Sequence, residues 1–244
     1  MTYCVGMKLD RGLVFMSDTR TNAGVDNIST FRKMYTWEEP GERVIVLMAA
    51  GNLATTQSVI SLLDERTKAP TERSHTLLAT PSMFQTARLV GDTIREVINA
   101  NAETGQRADT SFNANLILGG QIRGSEPRLF QIYPEGNFIE STDDTPFFQI
   151  GEHKYGKPII VRAYDKGMSF AEAAKLLLVS FDSTLKSNLS VGLPLDMAFY
   201  DRDTFKLGLQ KRIDRDDPYY RTISEGWSSA LKSAFASLPS FPQL

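Results

Sequence analysis

The sequence has little of what several common protein classes need. It contains one cysteine, Cys4, so no intramolecular disulfide can form, as is typical of proteins from a reducing cytoplasm. No segment reaches the roughly 18 consecutive apolar residues that a transmembrane helix requires. A secretory signal is also not expected, because Lys8, Asp10 and Arg11 fall where its apolar stretch would lie. We therefore expect a cytoplasmic protein.

A charge excess of either sign is missing as well. The chain has 27 basic and 29 acidic residues, for a formal net charge of −2. This balance gives no electrostatic basis for binding nucleic acid or an anionic membrane. The sequence contains no His, Cys or carboxylate cluster with metal-ligand spacing and no phosphate-binding Gly-x-x-x-x-Gly-Lys loop. We expect no cofactor, and any ATP hydrolysis that the function needs would come from a separate partner.

Hydrophobic patterning predicts grouped strands and grouped helices. Alternation over residues 3–9 and the run 13–18 predict a hairpin, and the apolar run 44–50 predicts a strand buried on both faces. Four further strands are predicted at 112–119, 128–133, 194–200 and 204–210. Such grouping favours an α+β protein built in layers over alternating βαβ units.

Helical periodicity fills the spaces between these strands. Helices are predicted at 52–66, 81–98, 169–185 and 220–236. We expect the second to begin at Pro81 after a Thr80 cap, and the third to begin with a capping box. The last carries an apolar stripe that serves either packing within the chain or contact between subunits; its members are Ile223, Trp227, Leu231 and Phe235.

Thr2 is the first candidate for chemistry. It follows Met1, and its small side chain favours removal of that methionine. The mature chain would then begin with a hydroxyl and a free α-amine on one residue. An ordinary hydroxyl needs a nearby base, and an α-amine has a reference pKa of about 7.7–8.0, close to neutral. Small residues are common after the initiator methionine, so Thr2 alone does not show whether it is catalytic or simply the second residue of the chain.

Two further segments could serve a Thr2 nucleophile. Asp18 ends the second predicted strand, and Lys33 follows it closely enough for an ion pair that orients the lysine. Gly51 stands between a buried strand and a helix, where its N–H could meet a developing oxyanion. Each has an ordinary alternative: a surface ion pair for Asp18 and Lys33, and a strand-to-helix turn for Gly51.

The ordered set of motifs resembles the proteasome β-subunit family. Thr2-x-x-Val5-Gly6 is followed by a hairpin, then Ser-Asp18-x-Arg20-x-x-x-Gly24, Lys33 and Ala-Gly51. The resemblance extends over about residues 2–213. Within the family, the start Thr-Tyr-Cys-Val-Gly and the stretch 151–158 are most similar to the bacterial branch called Anbu, the ancestral β-subunit.

The resemblance implies a fold and a set of roles. The fold would be a four-layer αββα sandwich of the N-terminal nucleophile hydrolases, one domain over residues 2–244 with a helical extension from about 218. Thr2 would be the nucleophile and Lys33 its proton acceptor or electrostatic partner. Asp18 would hold Lys33, and the Gly51 N–H would form the oxyanion hole.

The implied function is a threonine peptidase in a homo-oligomer, either ring or spiral, acting on peptides or unfolded polypeptides. Two alternatives stay open: an amidohydrolase of the same fold acting on small amides, and a non-catalytic assembly subunit. The joint presence of Thr2, Asp18, Lys33 and Gly51 argues against the second. Whether Lys33 or the Thr2 α-amine is the base cannot be decided from the sequence.

The sequence departs from the family pattern at several positions. Lys33 lies one residue closer to Asp18 than is usual, so Arg32 competes with it, and we favour Lys33. Asn22 stands where the family has a threonine whose backbone aligns the substrate. Ala49, near the presumed specificity pocket, leaves room for a larger substrate side chain.

The residues that contact the terminal amine in the family also differ. The family's Gly-Ser-Gly is replaced by Gly-Glu152-His, and its Asp-x-x-Ser-Gly-Gly by the stretch 187–192, Ser-Asn-Leu-Ser-Val-Gly. Two helpers of the amine, a serine and an aspartate, are therefore missing. We expect Glu152 to restore a carboxylate near the Thr2 amine.

Overall fold

The computed structural model describes residues 2–22, 28–68, 76–103 and 112–242. In chain order the elements are β1 (Tyr3–Leu9), β2 (Gly12–Asp18), β3 (Arg20–Asn22), β4 (Ile28–Thr30), β5 (Met34–Glu39), β6 (Arg43–Gly51), α1 (Leu53–Lys68), α2 (Met83–Glu103), β7 (Ala114–Ile122), β8 (Arg128–Ile132), β9 (Phe138–Glu140), β10 (Phe147–Gly151), α3 (Lys157–Ala163), α4 (Phe170–Ser187), β11 (Leu195–Asp201), β12 (Gln210–Ile213) and α5 (Pro218–Ala236).

Two antiparallel sheets form the centre of the fold. One has five strands in the order β10-β1-β2-β11-β12, and the other has five in the order β5-β6-β7-β8-β9. Strands β3 and β4 form a small separate ribbon. The expected hairpin of β1 and β2 is present, with Leu9 opposite Gly12 at its tight end. Strand β10 pairs with β1, which brings Gly151 opposite Tyr3, next to Thr2.

Side-chain alternation in β6 accounts for the layering. Ile45, Leu47 and Ala49 belong to the core beneath α1 and α2, whereas Val44 and Met48 belong to the core between the two sheets. Because successive side chains of a strand point to opposite faces, a strand covered on both sides is apolar throughout. The predicted buried run at 44–50 is confirmed.

Strand β1 divides its side chains in the same way. Tyr3, Val5 and Met7 pack in the core that α4 covers, whereas Cys4 lies between the sheets and is fully buried. Helices therefore cover the outer face of each sheet, and the inner faces pack together. The protein is the four-layer αββα sandwich that the sequence predicted.

Helix α4 begins with the capping box predicted at its start. Ser169 accepts a hydrogen bond from the Glu172 N–H, and the Glu172 carboxylate accepts one from the Ser169 N–H. The start predicted for α2 is wrong. It begins at Met83, and the Ser82 hydroxyl accepts the Gln85 N–H at 3.2 Å. Thr80 instead donates its hydroxyl to the Leu77 carbonyl at 3.1 Å.

The strand predicted at 204–210 is also wrong. Strand β12 begins only at Gln210, and the preceding chain turns through positive φ angles of 62° at Asp203 and 49° at Phe205. The Leu207 N–H donates to Glu38 Oε2 at 2.9 Å on the other sheet. Gly208 and Leu209 still bond to β11, through the carbonyl and N–H of Phe199, but the strand does not extend back to residue 204. The ribbon β3–β4 and strands β5, β9 and β10 were not predicted, nor was α3.

Helix α5 is capped by Asp217, whose side chain accepts the Tyr220 N–H at 2.9 Å, with Pro218 as its first residue. Tyr220 is buried in the core that α4 covers, but the second half of the helix is not covered. Leu231 is 50% exposed and Phe235 78%. Within the described part of the chain, no helix is long and apolar enough to cross a membrane.

Candidate active site

A cleft opens beside Thr2, where β1 begins and β6 ends. Its volume is about 460 Å³. The described residues that line it are Thr2, Thr21, Arg32, Lys33, Tyr35, Ala49, Gly51, Leu53, Thr56 and Gly151. Three of the predicted catalytic residues, Thr2, Lys33 and Gly51, thus share one cleft although they lie far apart in the sequence.

Lys33 is a buried cation with fixed partners. Its Nζ donates to Asp18 Oδ1 at 2.8 Å and to the Arg20 carbonyl at 2.5 Å. The side chain of Lys33 is only 6% exposed and that of Asp18 is fully buried. Breaking such a pair leaves an uncompensated buried charge, at a cost of about 3–5 kcal/mol. The ammonium is therefore held in one orientation at the wall of the cleft.

Asp18 also binds two backbone N–H groups. Its Oδ1 accepts the Tyr3 N–H at 3.0 Å, and its Oδ2 accepts the Gly192 N–H at 3.3 Å. Burial is the largest influence on the carboxyl and raises its pKa, while Lys33 and the two N–H groups act in the opposite direction. Because Tyr3 directly follows Thr2, one carboxylate orients both the lysine and the start of the chain.

Gly51 ends β6 in a conformation that favours glycine. Its φ is 125°, and a Cβ at this position would lie 2.3 Å from the carbonyl oxygen of Asn113. A side chain therefore cannot fit without moving the backbone. Two residues earlier, the Ala49 N–H donates to the Lys33 carbonyl at 3.0 Å, which ties this strand to the lysine segment.

Glu152 approaches Thr2 from strand β10. Its backbone N–H donates to the Thr2 carbonyl at 2.6 Å. The residue is 9% exposed, and its Oε2 accepts a hydrogen bond from Asn188 Nδ2 at 2.9 Å. The Lys154 N–H reaches Oε1 at 3.4 Å. Among the described residues, no lysine, arginine or histidine forms an ion pair with this carboxylate.

Comparison with known proteins agrees with this geometry. The family model described as "Proteasome subunit" matches residues 2–198. The solved structure of Anbu (ancestral beta-subunit) from Yersinia bercovieri is 54% identical, with a TM-score of 0.92, and the match covers 98% of this chain and 99% of that chain. The chain belongs to the Anbu group of the proteasome-subunit family.

Two further Anbu structures support the assignment. The Anbu (Gly-1) mutant from Hyphomicrobium sp. strain MC1 is 56% identical, with a TM-score of 0.91 and 99% of each chain covered. Anbu from Pseudomonas aeruginosa, solved as a helical assembly, is 48% identical, with a TM-score of 0.93 and 99% of each chain covered. The resemblance inferred from the sequence motifs is confirmed.

The structure describes only some of the other residues that the sequence singled out in this Anbu-family chain. Lys33 rather than Arg32 pairs with Asp18, and Arg32 lies exposed on the cleft wall. Ala49 lines the cleft. Asn22 lies in β3 opposite Ile28, with its side chain outside the described structure. Met1, whose removal the sequence predicts, also lies outside the described residues.

Sequence reasoning missed several residues of this Anbu cleft. Leu53 and Thr56 both come from the first turn of α1, directly after Gly51, so helical spacing could have indicated them. Tyr35 comes from the unpredicted strand β5. The family motifs indicated both the stretch 187–192 and Glu152, but not the bond between Asn188 and Glu152, because the two lie 36 residues apart on different elements. No cluster of side chains suited to a metal ion occurs among the residues described.

Proposed function

We propose that this chain is a threonine peptidase that cleaves peptide bonds through an acyl ester on Thr2. The observation that carries the proposal is the buried Lys33–Asp18 pair, 2.8 Å between Nζ and Oδ1, on the same cleft as Thr2. Burying an ion pair is costly, and strongly constrained charges in a cleft are typical of active sites. Membership of the proteasome-subunit family supports hydrolysis as the reaction class.

The reaction needs the α-amine of Thr2 to be free, so Met1 is removed first. Thr2 Oγ1 then attacks the carbonyl carbon of the peptide, and its proton passes to Lys33 Nζ or to the α-amine, whichever of the two is the neutral amine when the substrate is bound. The Gly51 N–H stabilises the oxyanion. The C–N bond breaks as the leaving amine takes up a proton, and an ester with Thr2 remains. Water hydrolyses the ester, which releases the acid and restores the hydroxyl.

Glu152 has a place in this proposal as the counter-ion of the Thr2 ammonium. Its carboxylate is nearly buried, its partners among the described residues are neutral N–H groups, and its backbone bonds directly to Thr2. A buried carboxylate without a cation is costly. The terminal ammonium that forms when Met1 leaves would supply the missing positive charge.

We also propose that the chain works as a homo-oligomer in the cytoplasm. Two observations support self-association: a related Anbu from Pseudomonas aeruginosa forms a helical assembly, and α5 exposes large apolar side chains. An assembly that encloses the clefts would restrict access to peptides or unfolded chains. Asn22 would contribute backbone hydrogen bonds to the substrate strand, and Ala49 would leave room for its side chain.

A peptide β-lactone tests the proposal directly. An activated hydroxyl opens the lactone ring by acyl transfer, so the protein gains the whole mass of the reagent with no leaving group. We expect intact-mass analysis to show loss of Met1 and one adduct per chain, located on Thr2 by fragmentation. Thr2→Ala should give none. Retained Met1, or equal labelling of Thr2→Ala, would overturn the proposal, and an unreactive, well-assembled protein would favour the assembly subunit.

A further inference from the structure

The cleft beside Thr2 contains a charge that the proposed chemistry does not use. Two of the described residues that line it are cations, Arg32 and Lys33. The charge of Lys33 is compensated by Asp18, whose carboxylate lies 2.8 Å from Nζ. Arg32 is exposed and forms no ion pair with any residue in the described ranges. Its guanidinium is therefore available to a ligand.

Tyr35 connects Arg32 to this cleft. The Tyr35 hydroxyl donates to the Arg32 carbonyl at 2.8 Å, and both residues line the cleft wall. Burial raises the pKa of Tyr35, and the positive charge of Arg32 opposes that rise. The negative charge of Asp64 acts on the pKa of Tyr35 in the direction opposite to Arg32, and its carboxylate accepts the Trp37 indole N–H at 2.7 Å.

Arg32 also borders a second cleft, of about 360 Å³. The other two cations there already have carboxylate partners: Arg212 pairs with Asp196 at 2.8 Å, and Lys211 pairs with Asp217 at 2.6 Å. Arg32 is thus the uncompensated cation of both clefts, as far as the described residues show. It lies on the ridge that separates them.

The rest of the Thr2 cleft provides no competing negative charge. No aspartate or glutamate is among its described lining residues, and Ala49 and Leu53 give it an apolar interior. An anionic side chain entering beside Thr2 would be attracted by Arg32, whereas a cationic one would be repelled. The cleft opens beside Thr2, which attacks the acyl carbonyl, so a side chain that enters the cleft belongs to the residue that supplies that carbonyl.

We propose that Arg32 selects substrates with an acidic residue, aspartate or glutamate, on the acyl side of the scissile bond. This inference rests on the proposed peptidase function and names the substrate class of that same cleft. An exposed guanidinium can still turn and bond to a carboxylate, although solvent and salt weaken the interaction. We expect a preference of roughly two- to fivefold over a neutral side chain of equal size, declining as salt is raised.

The test uses peptide β-lactones or fluorogenic peptides that differ only at this residue: glutamate, glutamine or lysine. The intact assembly should react faster with glutamate than with glutamine. Arg32→Gln should abolish the preference, and Arg32→Glu should reverse it in favour of lysine. Arg162→Glu is the matched control, because it makes the same charge change at an exposed arginine of α3. It should leave the preference unchanged.

The outcomes separate this inference from the proposed function. Labelling of Thr2 at equal rates by the glutamate and glutamine reagents would overturn the role of Arg32 and leave the peptidase intact. If Arg32→Gln still reacted faster with the glutamate reagent than with the glutamine reagent, the role of Arg32 would be overturned as well. No labelling of Thr2 by any reagent would overturn the peptidase proposal itself, and the substrate class with it.

Discussion

Asn188 donates a hydrogen bond from Nδ2 to Glu152 Oε2 at 2.9 Å. Asn188 is held in turn, since its Oδ1 accepts the Ser190 N–H at 2.9 Å. Glu152 contacts Thr2 through its backbone, at 2.6 Å from the Thr2 carbonyl. A chain of short contacts therefore runs from the end of α4 to the start of the protein. It lies in the segments where the family keeps its amine-contacting serine and aspartate.

Glu152→Gln should lower the pKa of the Thr2 α-amine. A nearby carboxylate favours the ammonium, so replacing it with a neutral amide should lower this pKa by about one unit, or roughly 1.4 kcal/mol. The pKa can be measured without relying on activity, from the pH dependence of α-amine reductive methylation followed by intact mass. Asn188→Ala should act in the same direction with a smaller effect, and Glu140→Gln on exposed β9 is the control. An unchanged amine pKa in Glu152→Gln would show that Glu152 is not the counter-ion of the Thr2 ammonium.

Thr2→Ala should abolish turnover of fluorogenic peptides while leaving the particle size unchanged, because it removes only a hydroxyl and a methyl group. Thr2→Ser keeps the hydroxyl and should retain part of the activity. Lys33→Ala should be nearly as damaging as Thr2→Ala. Since residues that act as one unit give non-additive losses, the double variant should be no worse than Thr2→Ala alone. Additive losses would mean that Lys33 acts independently of Thr2.

Lys33→Met should make folding stability depend on pH in a specific direction. Burial raises the pKa of the Asp18 carboxyl above the unfolded value, and Lys33 opposes that rise, so removing the cation should raise the pKa further. A group of this kind stabilises the fold below its unfolded pKa, about 3.9, and that stability is lost as pH rises through the folded pKa. Denaturant titrations should therefore show the variant losing the most stability relative to wild type near neutral pH, by about 3–5 kcal/mol.

Asp18→Asn combined with Lys33→Met is the control for that measurement. The double variant removes both charges, so most of the loss near neutral pH should be recovered and its pH dependence should disappear. A Lys33→Met variant that was equally destabilised at every pH would contradict the assignment of the effect to Asp18. It would point to lost packing around the lysine side chain instead.

Gly51→Ala should disrupt the cleft although it adds one methyl group. The new Cβ would lie 2.3 Å from the Asn113 carbonyl oxygen at a φ of 125°, so the end of β6 has to move. We expect lactone labelling of Thr2 to fall by at least tenfold. Gly226→Ala is the matched control, because no atom lies within 4 Å of its added Cβ and α5 should gain about 0.5–1 kcal/mol. Normal labelling in Gly51→Ala would contradict the expectation that the end of β6 has to move to accept the methyl group.

The elements that the sequence predicted well are those whose signal is local. The alternation in β1 and the continuous apolar run in β6 follow directly from burial on one or both faces. The capping box at Ser169 involves residues three apart. The motif order from Thr2 to Gly51 indicated the family and the residues on the cleft, since each motif is only a few residues long.

The elements that were missed depend on distant partners. The segment before Gln210 has strand-like composition, but the Leu207 N–H donates to Glu38 on the other sheet, so it is not available for pairing with β11. Strand β9 is three residues long, too short for periodicity to reveal it. The hydrogen bond between Asn188 and Glu152 joins the end of a helix to a loop beside β10. No local sequence pattern predicts that these two side chains lie within hydrogen-bond distance.

The last prediction concerns assembly through α5. Leu231 and Phe235 lie one turn apart and are 50% and 78% exposed, which is unusual for such large apolar side chains. Burying both against a second copy would contribute about 1.5–3 kcal/mol for each side chain. The double substitution Leu231→Glu and Phe235→Glu should therefore reduce the particle mass measured by light scattering at micromolar concentration.

The control for α5 has to add the same charge without removing apolar surface. The double substitution Ser229→Glu and Ser233→Glu does this. Both serines are exposed on the same helix, and each lies two residues before one of the apolar side chains, Leu231 or Phe235. The control should keep the particle mass of the wild type. If both pairs dissociate the particle, charge on α5 rather than its apolar face governs assembly. If neither does, the subunits associate through another surface and the exposed face of α5 has no part in the oligomer.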